Sequence, residues 1–169
     1  MSNRWRSHTS EKLFLAGIQL AEWQSSGEYE SSIVKPREES FKQSAILLIV
    51  TAWEGFLNEL ADYHQQKSEG IATLDQLVAL IGRDIPEIEY LVEIKKCDGS
   101  WLSDLLLLNK IIRTPQNRES DTLTLDLADN ALIATSRTHV LVDSVDNIDR
   151  IREEFKGYLE ALRSRMSEW

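Results

Sequence analysis

Three histidines and one cysteine are the side chains of this 169-residue chain best suited to bind a metal or move a proton near neutral pH. His8, His64 and His139 lie far apart, and no Glu-x-x-His or His-x-x-x-His pair sets two ligands on one helical face. With no close pair of cysteines and no Gly-rich phosphate loop, neither a metal nor a cofactor is expected. Cys97 follows Lys95 and Lys96, whose charges would favour a thiolate, but as a lone thiol it is read as a bystander. Ser136, His139 and Asp143 are the residue types of a nucleophilic triad, yet triads are made by tertiary geometry and these are also common loop and cap residues. No catalytic residue is assigned from spacing.

One carboxylate stands apart. In helical projection Glu59 falls near Phe41 and Ala52, at the margin of an apolar face. Desolvation there would raise its pKa and make a general acid or base, whereas a neighbouring Lys or Arg would make a structural ion pair; the pairing is the simpler reading.

The element that must position Glu59 contains Ala45-Ile-Leu-Leu-Ile-Val-Thr-Ala-Trp53, apolar but for one threonine and ended by Glu54-Gly55. Its β-branched residues allow a strand, but apolar residues recur at helical spacing on both sides, which predicts a helix from about Pro36 to Gln66 with Pro36 at its first position. Ala45, Ile49, Ala52, Phe56, Leu60 and Tyr63 gather on one face, and Leu47, Val50 and Glu54 project from the opposite side. Such a helix asks for cover on two sides, by the same chain or by a second subunit. Leu47, Val50, Glu54 and Glu59 are therefore the candidate binding residues, and cover of Leu47 and Val50 by the chain's own Leu105-Leu-Leu-Leu108 is the preferred expectation.

The remaining pattern is helical as well. Leu13, Phe14, Gly17, Leu20 and Ala21 give a first helix, starting near Thr9 or Ser10, a broad apolar face on which Ala16 and Gly17 would let the long helix come close. Thr73-Leu-Asp-Gln76 fits a capping box ahead of a helix stopped by Gly82. Asp84-Ile-Pro86 opens another helix to about Lys96, and Ser100 caps one that Thr114-Pro115 ends. Leu123, Leu125 and Leu127 alternate with polar residues before Asp129-Asn130, which suggests a small β-hairpin near 123–134. Ile148, Ile151, Phe155, Leu159, Leu162 and Met166 form the seam of a closing helix that starts at Asp143 or Ser144. The expected fold is mainly α: a single domain over 1–169, an up-and-down bundle of three long helices completed by short middle helices.

A formal net charge of −9 opposes bulk attraction to nucleic acid and to anionic membranes. No bilayer-spanning segment is expected. A single cysteine fits a reducing compartment, hence a cytoplasmic protein.

Glu11-Lys-Leu-Phe-Leu-Ala16, Ser44-Ala-Ile-Leu-Leu, Ala52-Trp-Glu-Gly-Phe-Leu-Asn-Glu59, Ser100-Trp-Leu102 and the closing Ser167-Glu-Trp169 together resemble small all-helical bacterial proteins grouped as a domain of unknown function. Those in turn are similar to HEPN-type helical bundles. HEPN ribonucleases carry an Arg, four to six intervening residues and then a His, which together act on a phosphodiester. Here the nearest pairs, Arg4 with His8 and Arg137-Thr-His139, depart from that spacing. The expected function is a non-enzymatic interaction or scaffold module, with a protein partner or self-association. The alternative is a divergent HEPN-like protein acting on nucleic acid through Arg137 and His139.

Overall fold

The apolar run at 45–53 lies in the middle of a 33-residue helix, and chain covers it on nearly every side. The computed structural model describes residues 3–26, 31–67, 70–115 and 142–167. Among them are α1 (Asn3–Ser25), α2 (Ser31–Tyr63), α3 (Leu74–Ile81), α4 (Pro86–Lys96), α5 (Trp101–Arg113) and α6 (Val145–Ser167), with no strand. The mainly α fold is thus as expected, while the hairpin placed at 123–134 falls outside the described residues.

Helix directions follow from specific contacts. Gly55 of α2 lies against His8 and Thr9, and the Ser26 hydroxyl reaches Glu38, so α2 runs antiparallel to α1. Trp101 packs on Trp53 and on Phe155, and Asp104 pairs with Arg150, so α5 returns the chain antiparallel to α6. Arg163 reaches Ser10 and Glu59, and Lys42 reaches Asp143, so α6 is antiparallel to α1 and parallel to α2. The up-and-down order is therefore α1, α2, α5, α6, with α5 as the short fourth strut.

Two starts differ from the sequence reading. The first helix begins at Asn3 rather than near Thr9 or Ser10, and Thr9 is fully buried inside it, its hydroxyl donating to the Trp5 carbonyl at 2.9 Å. Pro36 sits inside α2, five residues after its start, rather than at its first position. The short helices behave as read. Thr73 and Gln76 form both arms of the capping box, Gly82 closes α3 at φ 90°, and the Ser100 hydroxyl accepts the Ser103 N–H.

The core is built on α2, where Ala45, Ile46, Ile49, Val50, Ala52, Trp53, Phe56, Leu57, Leu60 and Ala61 are all buried. Trp53, Phe56, Trp101 and Phe155 interlock with ring centroids 4.8–6.1 Å apart. By length and mean hydropathy (1.3) the stretch Val34–Tyr63 could cross a bilayer, contrary to the expectation that no segment qualifies, but 67% of its most apolar window is buried inside the bundle. The close α1–α2 approach is made at Gly55, where a Cβ would stand 2.9 Å from the Thr9 hydroxyl and 3.0 Å from the His8 ring. Gly17, expected to serve that contact, faces α6 instead, where a Cβ would stand 3.1 Å from the Arg152 guanidinium.

Candidate functional site: the groove between α1 and α6

The first helix does not bury the whole of the apolar face read from its sequence. Leu13, Phe14, Gly17, Leu20 and Ala21 span too wide an arc for one neighbour at about 100° per residue. Leu13, Ala16 and Leu20 turn into the core, while Phe14 is 68% and Ile18 42% exposed. Beside them α6 presents Arg152, Lys156, Leu159, Glu160 and Arg163, and the two helices enclose a groove of about 480 Å³. Its floor is Leu13, Gly17 and Leu159, and its α1 wall is Phe14, Ile18 and Ala21.

The groove's cations differ in how they are engaged. Arg163 holds Glu59 through two bonds of 2.6 and 2.7 Å, donates to the Ser10 hydroxyl at 2.9 Å, and reaches the Arg6 carbonyl at 3.2 Å. It ties α1, α2 and α6 together at one end, and both members of its ion pair are mostly shielded from water. Arg152 lies over Gly17 and pairs with Asp149 and Glu153 on its own helix. Lys156 is exposed and has no partner among the described residues. The strip thus carries an unspent ammonium beside exposed apolar side chains.

The residues singled out from sequence are dispersed. Leu47 is 44% exposed on the outer side of α2, whereas Val50 is buried by the same chain, so the pair does not share one cover. Val50 and Glu54 border a second, smaller cavity of about 160 Å³ with Trp53, Thr73, Leu105 and Leu106. Glu59 is a structural ion pair with Arg163 and contributes to the groove only by holding that guanidinium. Arg137, His139 and Ser136 lie outside the described residues. His8 packs edge-on against Trp5, and His64 edge-on against Tyr63. No cluster of three metal-ligating side chains occurs among the described residues. Cys97 is exposed, and its neighbours Lys95 and Lys96 are engaged with Asp75 and Glu93.

What the sequence reading missed is the groove itself. The signal was present in Phe14: it lies about 100° from Leu13 on the helix, so cover centred on Leu13, Ala16 and Leu20 leaves it at the edge.

The described residues form a helical bundle with an apolar surface groove bordered by charged side chains. The chain belongs to the family of unknown function DUF6586, whose model matches residues 1–169. No curated protein and no solved structure matches it.

Proposed function

We infer that the protein is a non-enzymatic interaction module, and that a partner protein docks on the α1–α6 groove. The observation that carries this reading is Phe14, 68% exposed beside Ile18 on the wall of a concave apolar strip. An exposed aromatic next to a second apolar side chain and a groove is the surface signature of a contact site, while isolated apolar residues need no such explanation. A cytoplasmic location, resting on the lone Cys97, belongs to the same proposal. The HEPN-like alternative, with Arg137 and His139 acting on nucleic acid, gains nothing from the groove.

Photo-crosslinking in cells checks the docking reading. A benzophenone side chain placed at position 14 or 18 is expected to give a discrete protein adduct, and one at Leu80, exposed to a similar degree on α3, is expected to give none. Absence of an adduct at 14 and 18, or equal labelling at 80, removes the groove as the interaction surface.

A further inference from the structure

The smaller cavity, on the side of α2 that meets α3 and α5, shares no lining residue with the α1–α6 groove. It encloses about 160 Å³; an apolar cavity of about 150 Å³ holds one benzene, so the space takes a ligand of roughly six to eight heavy atoms. Val50, Leu74, Leu105 and Leu106 make much of its wall apolar. Trp53 and Glu54, adjacent in α2, bring to it the two polar groups that decide what fits.

Trp53 is 2% exposed, and its indole N–H is buried with no acceptor among the described residues. Its ring neighbours Phe56, Trp101 and Phe155 offer no acceptor oxygen, whereas the cavity that the indole borders has room for one. A buried donor without an acceptor has already lost its water, so an acceptor that arrives recovers that loss. Glu54 is half-buried, and among the described residues no side chain pairs with its carboxylate; Asn58 takes only its backbone carbonyl. Lys95, the cation on this wall, is held by both oxygens of Asp75 at 3.1 and 3.3 Å. The lining therefore carries one uncompensated negative charge, on Glu54. An ammonium entering here gains that carboxylate without breaking an existing pair, while a ligand carboxylate would meet a like charge.

We propose that this cavity binds a small amphiphilic amine of roughly six to eight heavy atoms, with its ammonium on Glu54, a neutral oxygen acceptor on the Trp53 N–H and its alkyl part against Leu105 and Leu106. The site goes beyond the docking reading and does not depend on it, because the groove and the cavity have no residue in common.

The probe is leucinol, which joins an amine and a hydroxyl to a branched alkyl part. Its controls are isopentylamine, which lacks the hydroxyl, 4-methylpentan-1-ol, which lacks the amine, and leucine, which carries a carboxylate in place of the alcohol. Each is titrated into the full chain at neutral pH and followed by backbone amide and indole N–H chemical shifts. Leucinol is expected to bind at least about fivefold more tightly than each control, to move the Trp53 indole proton downfield as a new hydrogen bond does, and to shift the amides of Glu54 and Leu105. Glu54→Gln is expected to weaken leucinol to the level of 4-methylpentan-1-ol and to leave the alcohol's own binding as it was. The variant is expected to melt as the parent does, since the carboxylate has no partner to lose among the described residues. Leucinol binding that Glu54→Gln leaves unchanged, a control that matches leucinol, or a Trp53 indole signal that stays still while leucinol binds overturns the proposal. So does the absence of any shift at the cavity with leucinol at tens of millimolar.

Discussion

Tyr158 shows how one buried hydroxyl couples the core to pH. It stacks on Tyr90 with centroids 5.1 Å apart and packs edge-on against Phe56, and its hydroxyl is buried with no hydrogen-bond partner among the described residues. Burial raises its pKa, and the neighbouring Glu87 and Tyr90 add to that while Arg165 opposes it. An unfolded tyrosine titrates near pH 10, so below that pH both states keep the proton and the full stability is present. Above it the unfolded chain loses the proton first, and stability declines with rising pH. Tyr158→Phe removes the orphan hydroxyl and keeps the rings. Its unfolding free energy at neutral pH is expected to be unchanged or up to about 1 kcal/mol higher, because no hydrogen bond is lost and a desolvated polar group is gone. Urea melts at neutral pH and above about pH 10 would show this, with a shallower alkaline decline in the variant. A loss at neutral pH would mean that the hydroxyl has a partner after all.

At the scale of the element, α2 separates two neighbours that the sequence treats alike. Leu47 and Val50 project within about 60° of one another on an ideal helix, yet one is 44% exposed and the other 4%. The difference arises because α5, through Leu105 and Leu106, and the start of α3 approach on the Val50 side, leaving Leu47 at the edge of their reach. Leu47→Asp is therefore expected to change stability by no more than about 0.5 kcal/mol and to leave the sedimenting mass unchanged. Val50→Asp places a carboxylate among apolar side chains and should cost several kcal/mol, out of a total of about 5–15 kcal/mol for a domain. Thermal melting and sedimentation of the two variants check both. A dimer that Leu47→Asp splits would show that a second subunit covers this side of α2. The end of the same helix is fixed by a buried amide. Asn58 donates to the Glu54 and Ile71 carbonyls at 2.7 and 2.8 Å and accepts the Ile71 N–H, pinning the chain that leads into α3.

Across the whole molecule, ion pairs between distant segments close the bundle at several points. Arg163 with Glu59 joins α6 to α2, Arg150 with the nearly buried Asp104 joins α6 to α5, and Lys42 with Asp143 joins α2 to the approach to α6. Burial would lower the Lys42 pKa, but its bonds and attraction to Glu39 and Asp143 outweigh that and raise it. These pairs set the register between helices more than they add stability, since desolvation offsets much of their attraction. The net charge of −9 acts at the same scale. Purified protein is expected to leave RNA intact with or without a divalent metal, because its field repels the phosphate backbone and no described cluster supplies an acid and a base. Cleavage that disappears in His139→Ala would replace the interaction reading with the HEPN-like one.

Local chemistry determined the ends of the short helices. The Thr73–Gln76 capping box, the positive φ at Gly82, Pro86 in the first turn of α4 and the Ser100 cap are interactions within a few residues, so sequence contains both partners. Periodicity likewise determined that α2 needs cover on two sides and that Ile148, Ile151, Phe155, Leu159 and Leu162 form one seam, all of them buried. Tertiary structure alone decided which face of each helix meets which neighbour. The start of α1 was read too late because the burial of Thr9 is decided only by Gly55 of α2 lying against it. Glu59 had candidate partners throughout the chain, and only the parallel docking of α6 on α2 selected Arg163, 104 residues away. The groove has the same origin: Phe14 and Lys156 are unremarkable in their own helices, and they come to line one furrow only when α6 lies antiparallel along α1.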